Sequence, residues 1–170
     1  EQFVVRHAAS EYRRWGSGFI WCLGCKLAMH THAVLYNRRH GIEVMADGSS
    51  GATAEMVEQS PVAVERIRAF HDSYGVRFET PVYHLDREEE INFLRGQGLR
   101  LGIRVGDRFL RIQPKCRPGE LYYAPYVLFG RKPHHPDDRV AAYIDTRLVE
   151  ARAFIEDRCR EEGLPLLARG

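Results

Sequence analysis

Residues 22–48 read CLGCKLAMHTHAVLYNRRHGIEVMADG, and the order of features in this run decides the fold class. From Cys25 to His40 the pattern is helical. Leu27, Val34 and Leu35 recur at helix-compatible spacing, as do Ala28 and Tyr36, and Gly41 stands where a C-terminal cap belongs. Ile42-Glu43-Val44-Met45-Ala46 then reads as a strand, with Asp47-Gly48-Ser49-Ser50-Gly51 as the loop at its carboxyl end.

Upstream, Phe3 to Trp15 reads as a helix ended by Gly16-Ser17-Gly18, and Phe19-Ile20-Trp21 is a short apolar run that delivers the chain to Cys22. Downstream, Ser60-Pro61 is a helix start, a capping hydroxyl before a proline at the first position. Its buried stripe is Val64, Ile67, Phe70 or His71, and Tyr74, and Gly75 closes it. Val76 to Tyr83 reads as a second strand, and Asp86 to Gly96 as a helix with an Asp86…Glu89 capping pair. Glu88-Glu89-Glu90 is its charged first turn, favoured by the helix dipole. Leu99 to Arg131 has no clear period. Asp138 to Glu162 is a long helix with Val140, Ile144, Leu148 and Ile155 on one side. Helices alternating with strands predict one α/β domain over residues 1–170: a Rossmann-like parallel sheet with crossover helices and a C-terminal helix. In such sheets ligands bind outside the carboxyl ends of the strands, where Asp47-Gly48-Ser49-Ser50 stands.

Composition bounds the function classes. With 44% hydrophobic residues in 170, the chain can bury a core without disulfide staples. The net charge of +2 is too balanced to argue for nucleic acid by itself. Arg95, Arg100, Arg104, Arg108, Arg111, Lys115 and Arg117 nevertheless fall in one stretch whose acidic residue is Asp107. A polyanion-binding surface and a solvated basic face both fit it. No apolar run is long enough to span a membrane. No secretory leader opens the chain, and without an initial Met an N-terminal part is expected to be missing. Four cysteines, two of them in a C-x-x-C, point to a reducing cytoplasm rather than a secreted disulfide framework.

Cys22-Leu23-Gly24-Cys25 is predicted to open the helix, where backbone amides and the dipole favour the thiolate that binds metal or attacks sulfur. Two cysteines three apart can converge on one metal. A zinc site needs four ligands, and a cubane iron–sulfur cluster at least three thiolates. The best third ligand is Cys116, in Gln113-Pro114-Lys115-Cys116-Arg117-Pro118-Gly119, where two prolines stiffen the loop and two cations flank the sulfur. Cys159, inside the last amphipathic helix, reads as a small buried residue. His30 and His32 lie near the cysteines, but two apart on a helix they face different ways, so at most one joins a zinc site. His134-His135-Pro136 reads as a solvated turn or a metal or phosphate contact. The Tyr122-Tyr123…Tyr126 cluster reads as packing or base stacking.

Trp21-Cys22-Leu23-Gly24-Cys25-Lys26 is similar to the thioredoxin active-site string, with Thr80-Pro81-Val82 in place of the family's cis-proline. That resemblance implies a dithiol oxidoreductase with Cys22 as nucleophile and Cys25 as resolving thiol. It gives no role to Asp47-Gly48-Ser49-Ser50 or to Cys116. A second resemblance covers roughly residues 16–120. It rests on Gly16-Ser17-Gly18, Cys22-x-x-Cys25-Lys26, Met29, Ala33, Gly41, Ala46-Asp47-Gly48, Met56-Val57-Glu58-Gln59, Thr80-Pro81-Val82 and Cys116. In this order they resemble the C-terminal half of the PP-loop ATP pyrophosphatase family, in its tRNA-thiolating branches that carry a cluster on three cysteines.

That resemblance implies that ATP adenylates a carbonyl oxygen, AMP leaves and sulfur takes its place. It makes Cys22 and Cys25 catalytic and, with Cys116, ligands of a 4Fe-4S cluster with one open iron. It places Asp47, Gly48, Ser49 and Gln59 at the nucleotide, with Asp47 as a possible magnesium ligand, and sets the stretch from Arg95 to Arg117 against a nucleotide or tRNA. The family's Ser-Gly-Gly-x-Asp-Ser phosphate loop does not occur in this sequence. Either a separate segment or subunit supplies it, or ATP chemistry is lost. The leading expectation is iron–sulfur-dependent sulfur transfer. The alternatives are the dithiol oxidoreductase and a zinc-stabilised binding subunit without catalysis.

Overall fold

The computed structural model describes residues 8–16, 19–99, 103–105, 108–110, 124–125, 128–129 and 134–165. It is a mixed α/β arrangement dominated by helices. In chain order the elements are α1 (Ala8–Trp15), a π-helical turn (Phe19–Leu23), α2 (Gly24–His40), β1 (Val44–Ala46), short 3-10 turns at Gly51–Thr53 and Val57–Gln59, and α3 (Pro61–Asp72). β2 (Arg77–Glu79), α4 (Arg87–Gly96), β3 (Ile103–Val105), β4 (Arg108–Leu110) and α5 (Asp137–Glu161) follow.

The expected helix boundaries hold where local chemistry sets them. Gly41, at φ 64°, closes α2 and returns its N–H to the Asn37 carbonyl. The Ser60 hydroxyl accepts from the Ala63 N–H ahead of Pro61. Asp86 and Glu89 form the reciprocal capping box of α4. Of the helix expected from Phe3, the described part is Ala8–Trp15.

The strands are shorter than the apolar patterns suggest. β1 and β2 pair in parallel with Val44 opposite Arg77 and Ala46 opposite Glu79, and α3 lies between them in sequence. Residues after Glu79 turn away at once, so Pro81 belongs to a turn rather than to the predicted strand, consistent with its missing N–H. The segment without a clear period contains a short antiparallel hairpin, with Ile103 opposite Leu110. Its Val/Ile/Leu content is interrupted by arginines, which hid the alternation.

The core lies where α2 packs against α5 and α3. Leu23, Leu27 and Val34 meet Val64, Ile67 and Phe70 and, from α5, Val140, Tyr143, Ile144, Leu148 and Ile155, all buried. Gly24 permits this closeness, because a Cβ there would stand 2.7 Å from the Tyr143 hydroxyl. Cys159 is buried in the same core. Arg139 donates to the carbonyls of Arg14 and Trp15, both at 3.1 Å, and buried Arg147 pairs with Glu11 and Glu150. Trp15 packs edge-on against Tyr143, so α1 is held to α5 by both rings and charges. Among the described residues, no helix is long and apolar enough to cross a membrane.

Candidate functional site

Cys22 lies in the π-helical turn, half-buried against the core, and Cys25, the second residue of α2, is exposed. Both are thiols, not halves of a disulfide. α2 starts within the C-x-x-C as expected, and a π-helical turn precedes it. Leu23 is helical, at φ −69° and ψ −42°, so the turn at Phe19–Leu23 runs on into α2 through both cysteines.

Lys26, adjacent to Cys25, turns the opposite way and is buried. Its ammonium donates to Ser49 Oγ at 2.5 Å and lies 3.2 Å from Asp47 Oδ2. One turn along the same face, His30 Nε2 lies 3.5 Å from that oxygen. Ser49 completes the ring: its hydroxyl donates to Asp47 Oδ2 at 3.0 Å and its N–H to Oδ1 at 2.9 Å. His30 Nδ1 is 2.9 Å from Nε2 of His71, on α3. The His71 ring is fully buried and stacked on Phe78 of β2 at 5.1 Å between centroids. A polar cluster from α2, the loop after β1, and α3 therefore stands at the carboxyl end of the parallel pair.

Burial alone would raise the pKa of Asp47. The close approach of His30, the hydrogen bonds from Ser49 and the charge on Lys26 reverse this and hold the carboxyl well below the usual range. Burial, with His30 beside it, lowers His71 to about 4.

The loop itself is rigidly tied. Gln59 Oε1 accepts from the Ser50 N–H and the Thr53 hydroxyl, both at 2.9 Å. Tyr83 clasps it twice: its carbonyl accepts from the Gly51 N–H at 3.0 Å and its hydroxyl donates to the Gln59 carbonyl at 2.9 Å. A Cβ on Gly51 would stand 2.3 Å from the Tyr83 oxygen, a backbone atom that cannot swing aside. Gly51→Ala is therefore expected to cost about 2 kcal/mol by overpacking. The check is the urea midpoint; an unchanged midpoint would show that the loop yields freely.

Several expectations are revised. Asp47 does not fit a magnesium ligand, because both its oxygens are engaged by protein donors and one is a buried ammonium. Gln59 holds the loop through its own backbone and side-chain contacts. Ser49 is buried under Lys26, and Gly48 is exposed on the loop. His30 faces Asp47 and His71 rather than joining a zinc site, and the Thr80–Pro81 peptide is trans. Cys116 lies outside the described residues, as do Arg100, Arg111, Lys115, Arg117, Tyr122, Tyr123 and Tyr126. Arg95 is exposed at the end of α4, and Arg104 and Arg108 belong to the hairpin strands. His134 and His135 precede α5 and line a small cleft with Val57 and Ser60.

Among the described residues, no group of three or more His, Cys, Asp or Glu side chains is placed to hold a metal ion. The Cys22–Cys25 pair supplies two soft donors at a spacing that fits zinc or an iron–sulfur cluster, and a cluster would need a third from Cys116. Lys26 and Asp47 stand in two of the quoted motifs, Cys22-x-x-Cys25-Lys26 and Ala46-Asp47-Gly48, but no motif pairs them with each other, and His71 belongs to none. The signal for their meeting is the i, i+4 spacing of Lys26 and His30 on a face otherwise filled by Leu23, Leu27 and Val34. No family model, curated protein or solved structure matches the chain.

Proposed function

We propose that this chain is a PP-loop-like sulfur-transfer protein in which Cys22, Cys25 and Cys116 carry an iron–sulfur cluster. The parallel β1–α3–β2 unit is one crossover of a Rossmann-like sheet in this reading. The observation that carries it is the back-to-back placement of Cys25 and Lys26. One side chain is exposed, and the next is buried in the Asp47–Ser49 cluster at the carboxyl end of β1. Thiol pair and strand-end loop are thereby fixed to each other at the place where α/β sheets receive ligands.

When bound, a cluster on three thiolates supplies an iron with an open position for sulfide. The residues of this chain do the rest. Cys22 and Cys25 would hold one side of the cluster. Lys26, tied down by Asp47, holds the first turn of α2 at a set distance from the loop. The substrate is a nucleotide or a tRNA base, received by the basic stretch from Arg95 to Arg117. Adenylation of that base requires the phosphate loop that this sequence lacks, supplied by a separate segment or subunit.

Metal and acid-labile sulfide, measured on protein purified without oxygen, test the reading. Iron and sulfide are expected in the wild type and in neither Cys22→Ser nor Cys116→Ser. Zinc retained in Cys116→Ser would overturn it in favour of a zinc-stabilised binding subunit. Protein without metal would overturn it in favour of the dithiol oxidoreductase.

A further inference from the structure

The His30–His71 contact has two possible proton arrangements, and the surroundings separate them. If His30 carries its proton on Nδ1 and donates to His71 Nε2, then His71 must carry its own on Nδ1. That atom is fully buried and has no hydrogen-bond partner among the described residues. A buried N–H without an acceptor is among the rarest arrangements in folded proteins. In the neutral ring the same choice turns a lone pair of His30 Nε2 toward Asp47 Oδ2 at 3.5 Å, placing two acceptors face to face. The opposite arrangement removes both faults. His71 Nε2–H then donates to His30 Nδ1, and His30 Nε2–H to Asp47. The atom left over is a bare ring nitrogen, which costs less than an orphaned N–H.

We propose that His71 and His30 form a directional hydrogen-bond dyad that sets the Asp47 carboxylate against Lys26, so that both histidines are positioning residues for the cluster beside the thiol pair. Among the described residues the dyad ends at His71 Nδ1, inside the core, with the ring stacked on Phe78. It orients and does not carry protons to solvent. Phe78 lies on β2 and His71 on α3, so the register of the parallel pair is coupled to the aim of Asp47 through one ring. The sulfur-transfer reading is needed only for what the cluster finally serves; the proton arrangement stands apart from it.

The test is a long-range proton–nitrogen NMR spectrum of the side chains, recorded at pH 7. The full chain would carry Cys22→Ser and Cys25→Ser, so that the result does not depend on what the thiols bind. Both His30 and His71 are expected as the Nε2–H tautomer. His71→Leu should leave the His30 ring divided between tautomers. His71→Gln, whose amide nitrogen falls near the lost Nε2, should return it to Nε2–H. A His71 signal with its proton on Nδ1 would overturn the proposal in the unaltered dyad, whatever the variants do. A His30 ring unaffected by His71→Leu would overturn the positioning role.

Discussion

Asp47→Ala is expected to destabilise the protein by about 3 kcal/mol, because it leaves a buried ammonium without its counter-charge. Lys26 is 7% exposed, and its remaining partner would be the Ser49 hydroxyl, a neutral group. The reverse change is expected to be much milder. In Lys26→Met the carboxylate keeps the two Ser49 donors and His30, and the thioether fills most of the space of the lost stem. A loss of about 1 kcal/mol is expected there. Urea denaturation of the two variants measures both. Equal losses would mean that the ion pair acts as a symmetrical surface bridge rather than as a buried charge held by one carboxylate.

The second large effect is a loss of stability in mild acid. In the unfolded chain His71 takes a proton near pH 6.5. In the folded protein burial and the neighbouring His30 postpone this to about 4, against the opposing pull of Asp47. Between these values the unfolded state binds a proton that the folded state refuses, so stability falls as pH falls and levels off below about 4. The span corresponds to about 3 kcal/mol at the usual 1.36 kcal/mol per pH unit. Asp47 works in the same direction at lower pH. Its depressed folded value adds stability above the ordinary carboxylate range and withdraws it in strong acid. Unfolding free energies at pH 7, 5.5 and 4 should show the His71 loss in the wild type and a flatter profile in His71→Gln. Parallel profiles would assign the acid sensitivity to other groups.

The helices and the strand–loop register were legible because short-range chemistry fixes them. The Ser60-Pro61 start, the Asp86…Glu89 box and the Gly41 cap each act within a few residues, and each is found as read. The buried side of α5 was likewise carried by Val140, Ile144, Leu148 and Ile155. The parallel pairing of β1 with β2 follows the helix between them, but its extent did not. A three-residue strand is bounded by where its neighbour turns away, and that is set by the clasp of Tyr83 on the loop, thirty-odd residues from β1.

The thiol pair was legible as a motif. The cluster behind it was not, because Lys26, His30, Asp47 and His71 meet only when three elements are packed. Within the sequence, Lys26 reads as the residue that follows the C-x-x-C and His71 as an alternative to Phe70 on a buried stripe. It is tertiary burial that converts them into a compensated set. The helix expected to open in the C-x-x-C does open there, at Gly24, but a π-helical turn the sequence did not announce runs into it. Gly24 at that junction serves the approach of Tyr143, a long-range contact.

The attachment of α1 and α2 to α5 also sets a timetable. Arg139 reaches the Trp15 carbonyl across 124 positions of chain, and Leu23, Leu27 and Val34 have much of their cover from residues beyond Val140. A ribosome adding about 5–20 residues each second takes on the order of ten seconds to cross that interval. Throughout it the apolar side of α2 is without its final cover. Burial of the Leu23–Leu27–Val34 stripe must therefore wait for the last helix, and until then the nascent chain carries an uncovered apolar face.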